Sequence, residues 1–156
     1  MAVADMFLKL AGVTGEALDS DHKSEIEVVG WSWGLSAPSS VTGGASGKTA
    51  LSELTVTKRV DQATPTLMQY LRNHKVVPSA LLTVRKAGTT PLEYFKIELK
   101  NVRVTSLVAD SRESELVERL TLGFTQVTAT YTPQQGGTGA KGGGDVVFTA
   151  DAHATT

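Results

Sequence analysis

The chain has 156 residues, 40% of them apolar and 20% charged, with a formal net charge of -1. That is the composition of one packed domain, and it excludes a disordered chain. The near-neutral balance argues against a nucleic-acid surface, and the absence of cysteine excludes disulfides and thiol chemistry.

In chain order, the opening MAVADMFLKLAGV is apolar but interrupted by Asp5 and Lys9. It lacks a basic region followed by an unbroken apolar run, so no signal peptide of the usual kind is expected. No uncharged stretch reaches the roughly 20 residues of a membrane-spanning helix, so membrane insertion is not expected either. The segment DSDHKSE carries Asp19, Asp21, His22 and Glu25. It reads as a solvated charged loop, because it lacks the glycine and terminal glutamate of a calcium hand. His22, His74 and His153 are too scattered for metal-ligand spacing, and no metal or other cofactor is expected.

The next segment, EIEVVGWSWG, changes parity. Ile26 and Val28 share one face, and Val29, Trp31, Trp33 and Leu35 share the other, which predicts a bulge at Gly30. Trp31 and Trp33 then pack on one side with Ser32 on the other. Gly30-Trp31-Ser32-Trp33-Gly34 also matches the G-x-S-x-G pattern of a serine hydrolase, with Asp110 and His153 as later partners. That chemistry needs a sharp strand-to-helix turn. Leu35-Ser36-Ala37-Pro38 cannot open such a helix, so a small hydrolase is the remote alternative.

Residues 37–48 and 133–144 are rich in Gly, Ser and Pro and read as loops. Gly47-Lys48-Thr49 resembles the end of a phosphate loop, but Thr42 stands where its first glycine is needed. Strand alternation then places Leu54, Val56, Lys58 and Val60 on one face. A helix is predicted from about residue 64 to 73, with Thr64 as cap, Pro65 in the first turn and Leu67, Met68 and Leu71 as the core stripe. Asn73 and His74 mark its end.

Beyond the helix, Ala80, Leu82 and Val84 alternate with Leu81, Thr83 and Arg85. The pairs Lys58-Arg59 and Arg85-Lys86 lack the aromatic platforms of a single-strand binder and read as edge protection or subunit contact. From Leu92 a long strand sets Phe95, Ile97 and Leu99 inward, and a phase change near Asn101 transfers that role to Val102 and Val104. A second change after Phe124 passes it from Leu116, Leu120, Leu122 and Phe124 to Val127, Ala129 and Tyr131. Long strands with phase shifts suit a closed or strongly curved sheet.

These segments in this order, from MAVADMFLKLAGVTGEA through SDHKSEIEVVGWSWGLS, LTVTKRVDQATPTLMQYL, LLTVRKAG and YFKIELKNVRVTSLV to LTLGFTQVTATYTPQ, resemble the hemolysin-coregulated protein (Hcp) family. The resemblance implies a mainly β fold like that of a phage tail tube, with a β-barrel-like core of two packed sheets and one short helix. It places a single domain at residues 1–132, with an extended loop at 38–50, and a Gly-rich loop and tail at 133–156. It implies a non-enzymatic subunit of the type VI secretion tube, forming hexameric rings that stack head to tail. Its implied partners are further copies of itself, a spike protein at the tip, a contractile sheath and baseplate, and effector proteins in the lumen. Such a protein is cytoplasmic before firing and secreted afterwards. In this picture Ser32 faces the lumen and contacts cargo. The ring-stacking loop comprises Ser39, Ser40, Val41, Thr42, Gly43, Gly44, Ala45, Ser46, Gly47 and Lys48. A phage or prophage tail-tube subunit is the nearer alternative, since it shares the fold and the ring.

Overall fold

The computed structural model describes residues 4–37, 49–86, 92–112, 114–133 and 144–152. The loop assigned to Ser39 through Lys48, and His153, lie outside the described residues. The elements are β1 (Ala4–Leu10), β2 (Ile26–Glu27), β3 (Gly30–Ser32), β4 (Leu35–Ser36), β5 (Ala50–Leu51), β6 (Leu54–Arg59) and α1 (Ala63–Arg72). They continue with β7 (Val77–Lys86), β8 (Leu92–Arg112), β9 (Glu115–Gly123), β10 (Gln126–Tyr131) and β11 (Val146–Asp151). The fold is therefore mainly β with one helix among the described residues, as the resemblance implied.

Nine strands form one antiparallel system in the order β2-β1-β7-β8-β9-β6-β3, with β10 against β8 and β11 outside β10. Its backbone is β8, 21 residues long. The first half of β8 lies between β7 and β10, and the second half pairs with β9. β9 and β10 follow one register along it: Arg103 faces Gly123, and three residues on Lys100 faces Gln126. Between them Phe124 and Thr125 leave the ladder, although Thr125 N–H still donates to Lys100 O at 3.0 Å. The predicted shift after Phe124 is thus a short break between two strands.

The phase change at Asn101 is present. Its φ of 53° is a left-handed conformation that asparagine tolerates better than most residues. It moves the buried set from Ile97 and Leu99 to Val102 and Val104. A second irregularity lies between Val104 and Ser106. Such kinks bend a long strand so that both halves line one core. That core contains Leu8, Leu10, Leu54, Val56, Leu82, Leu99, Leu120, Leu122 and Val127, and α1 adds Ala63 and Leu67 to it.

Among the described residues the sheets do not close into a barrel, so the barrel-like expectation was slightly too strong. The strand path ends on β2 at one edge and β3 at the other, and Val28 and Val29 step across the seam. Val28 N–H donates to Met6 O at 3.0 Å and Val29 N–H to Thr57 O at 2.8 Å, so each amide serves an opposite edge. This step, and not a bulge at Gly30, reverses the buried face. Nothing lies within 4 Å of a Cβ built on Gly30, and Val29 is exposed where burial was expected.

The helix begins one residue earlier than predicted, and Thr64 does not cap it. Asp61 Oδ1 accepts from Ala63 N–H at 3.0 Å, while the Thr64 hydroxyl turns inward to Glu118 at 2.7 Å. Pro65 still falls in the first turn, where its missing N–H leaves no bond unmade. Leu67 is buried but Met68 is exposed. The end is as expected: His74, at φ 53°, donates to Leu71 O at 3.3 Å and Lys75 N–H donates to Tyr70 O at 3.0 Å, a Schellman closure.

Candidate functional site

The strand bearing Ser32 lies at the end of the β8-β9-β6-β3 face. Register places Ser32 opposite Thr55, Thr55 opposite Thr121, and Thr121 opposite Ser106. Because side chains alternate along each strand, the adjacent row of Trp31, Val56, Leu120 and Leu107 belongs to the core and the hydroxyl row faces outward. Ser32 is exposed, and Thr55, Thr121 and Ser106 are half-buried. Trp31 stacks on Phe95 with ring centroids 5.7 Å apart and 16° between planes. The two tryptophans and the serine thus take opposite sides, as the alternation predicted.

The hydrolase pattern lacks its structural context. Ser32 ends a strand paired with β6 and leads into Trp33, Gly34 and then β4, with no helix to form an elbow. Gly34 N–H donates to Ser52 Oγ at 2.9 Å, which fixes the approach to β4.

β4 and β5 pair through Leu35 with Leu51 and Ser36 with Ala50. They form the described base of the predicted extended loop, and Ala50, the last residue assigned to that loop, is strand. Beside this base a groove of about 620 Å³ is lined by Leu35, Leu51, Phe148 and Ala150, among others. β11 borders the groove and is an outer strand that pairs only with β10 among the described residues. Val146, Val147 and Phe148 on it are exposed, at 63%, 57% and 43%. These residues fall in the segment read from sequence as tail.

Two ionic clusters correct the reading of solvated and edge charges. Lys58 is fully buried and ion-paired with Glu118, with Asp61 Oδ1 at 2.9 Å. β6 lies inside the sheet, between β9 and β3, so Lys58 protects no edge. Arg85 is also buried, and its guanidinium bonds both oxygens of Asp19, at 2.9 and 2.8 Å, and Asp5 at 3.0 Å. The bonds from Arg85 hold the Asp19 carboxyl down at about 2, against the smaller opposing effect of burial. His22 is buried between Phe7 and two carboxylates. Lys58 had a visible signal, since its parity matches Leu54 and Val56. Asp19 and Arg85 had none, because 66 positions separate them.

These features define a β-rich protein whose exposed elements are a hydroxyl face and an apolar strand edge. A family model described as "Type VI secretion system effector, Hcp" matches residues 7–131. The chain is 44% identical to "Protein hcp1" of Pseudomonas aeruginosa over 154 residues, covering 95% of this chain and 94% of that one. The crystal structure of Hcp1 from Salmonella typhimurium superposes with a TM-score of 0.82 at 30% identity, covering 99% of this chain and 98% of the other. A type VI secretion system effector from Yersinia pestis gives 0.78 at 28% identity, over 94% and 99%. The chain belongs to the Hcp family of type VI secretion system proteins. No helix among the described residues is long and apolar enough to cross a membrane.

Proposed function

We propose that the protein is the structural subunit of a type VI secretion tube, assembling into hexameric rings that stack head to tail. The rings move out with the spike when the sheath contracts on its baseplate, and carry effector proteins in the lumen. Assembly takes place in the cytoplasm, and firing delivers the rings to the medium or a target cell. The mechanism is mechanical and needs no catalytic group.

The observation that carries this reading is β11. An outer strand with three exposed apolar residues is an aggregation hazard in a monomer and a pairing surface in a ring. Beyond Val102, β8 pairs with β9 alone among the described residues, which gives a second edge of the same sheet system there. Two different edges on one chain suit a heterologous contact, and repeated rotation closes such a contact into a ring. Ser32 and its row of hydroxyls supply an uncharged polar wall, suited to cargo that must be held and then released. The loop from Ser39 to Lys48 is proposed to reach the neighbouring ring.

A double variant, Val146→Glu with Phe148→Glu, tests the interface. The expected result is loss of rings in negative-stain images with an unchanged circular dichroism spectrum. Rings that persist in the variant would remove β11 from the interface. Esterase turnover by the wild type that disappears in Ser32→Ala would instead restore the hydrolase.

A further inference from the structure

Gly15 and Glu16 are held by Gln62 at the start of α1, and the loop beyond them, through Asp19 and His22, lies against Arg85 of β7 and Phe7 of β1. The backbone holds the neck of this loop: Gly15 N–H donates to Ser24 O at 2.7 Å, Ser24 N–H to Ala17 O at 2.9 Å, and Ala17 N–H to Glu25 O at 3.0 Å. Near its end His22, 7% exposed, lies flat on the Phe7 ring with centroids 4.4 Å apart and 7° between planes. Its Nδ1 is 3.0 Å from Glu25 Oε1 and its Nε2 is 2.7 Å from Glu93 Oε2. Glu25 belongs to the loop and Glu93 to β8, so the imidazole bridges loop and sheet.

An ionised carboxylate only accepts hydrogen bonds, and a neutral imidazole has a single N–H. Both contacts are therefore hydrogen bonds only when both ring nitrogens carry protons. A neutral ring would turn a lone pair toward a carboxylate in a site nearly closed to water, and one of the two bonds would be lost.

The surrounding charges sustain this arrangement. Arg85 of β7 lies over Phe7 at 5.1 Å and is engaged by Asp19 of the loop and Asp5 of β1. Lys96 of β8 binds the other oxygen of Glu93 at 3.3 Å and so helps keep that carboxylate ionised. Asp21 and Lys23 flank His22 in the loop, and Lys86 follows Arg85 on β7. Burial opposes the imidazolium, but the Glu93 and Glu25 bonds outweigh it and raise the His22 pKa above 6.5.

We propose that His22 is a proton-operated clasp that tightens residues 17–25 onto the sheet when its ring is protonated and loosens them when the proton leaves, while the Arg85–Asp19 pair tethers the loop in both states. The device is independent of the ring and tube reading. Because the folded-state pKa is raised, its contribution is complete below the unfolded value and is lost as pH rises through the folded one.

Hydrogen exchange on the full chain between about pH 5.5 and about pH 8.5, corrected for intrinsic rates, tests the clasp. The protection of Gly15, Ala17 and Ser24 amides should fall by about tenfold or more over that range, the worth of a charge-assisted bond, while Leu82 and Leu99 stay unchanged. His22→Asn and, separately, Glu93→Gln, which keeps the ring, should each flatten the response. Flat loop protection in the wild type, or the wild-type fall persisting in both variants, would overturn the proposal.

Discussion

Lys58 on β6 and Glu118 on β9 stand directly opposite each other in the sheet, both fully enclosed, with their side chains ion-paired beneath the start of α1. Thr64 donates to the same carboxylate oxygen, so the helix is tied to two strands through one charged group. Glu118 Oε2 has no protein partner among the described residues, which adds to the cost of burying this pair.

Removing one member of such a pair leaves an uncompensated buried charge, worth about 3–5 kcal/mol. Lys58→Met alone, which strands Glu118, should lower the urea-unfolding free energy by that order, and Glu118→Leu alone by less, because Asp61 Oδ1 still pairs with Lys58 at 2.9 Å. The double variant should recover most of the loss, because two apolar side chains of similar volume need no partner. Additive losses would show that the pair is not coupled.

The Asp19 carboxyl is held at about 2 against an ordinary 3.8. A depressed folded-state pKa contributes stability that is present above the unfolded value and is lost as pH falls through the folded one. The expected window therefore runs from 3.8 down to about 2, and it should be missing from the acid-unfolding curve of Asp19→Asn. An identical acid limb in that variant would contradict the assignment.

Glycines should divide by what surrounds them. A Cβ on Gly15 would meet Glu25 O at 2.4 Å and Ile26 Cα at 2.8 Å, backbone atoms that cannot swing aside. Gly15→Ala should cost about 1–3 kcal/mol, the usual range for overpacking. Gly34→Ala should fall within about 0.5 kcal/mol of wild type, since none of the described residues lies within 4 Å of its Cβ position. Thermal melts of the two variants make the comparison.

His74 occupies the left-handed position that closes α1, with φ 53°. A side chain there carries a penalty of about 1–2 kcal/mol relative to glycine. His74→Gly should raise the unfolding free energy by about 1 kcal/mol, the backbone entropy of glycine in the unfolded chain offsetting part of that gain. A lowered melting temperature would mean that the imidazole makes a contact that outweighs the strain.

Much of the fold was legible because alternation is local. The inward set of β8, its phase change at Asn101 and the opposition of Ser32 to Trp31 and Trp33 all follow from period-two reading. What failed depended on distant chain. Thr64 is not the cap because Asp61 takes the Ala63 amide, while the threonine hydroxyl accepts from Asp61 N–H and donates to Glu118, from a remote strand. Charges around His22 read as solvated because their partners at Arg85 and Glu93 arrive from other strands. The valines of β11 follow a glycine-rich segment, and only pairing with β10 makes them a strand. The hydroxyl row was half visible: Ser32 was chosen through the resemblance, but Thr55, Thr121 and Ser106 join it only by register.

The native mass of the purified wild-type chain, measured by light scattering with negative-stain images of the same peak, tests the tube reading most directly. The expected result is six times the 16.5 kDa chain mass and six-membered annuli. A monodisperse monomer at high concentration would contradict it.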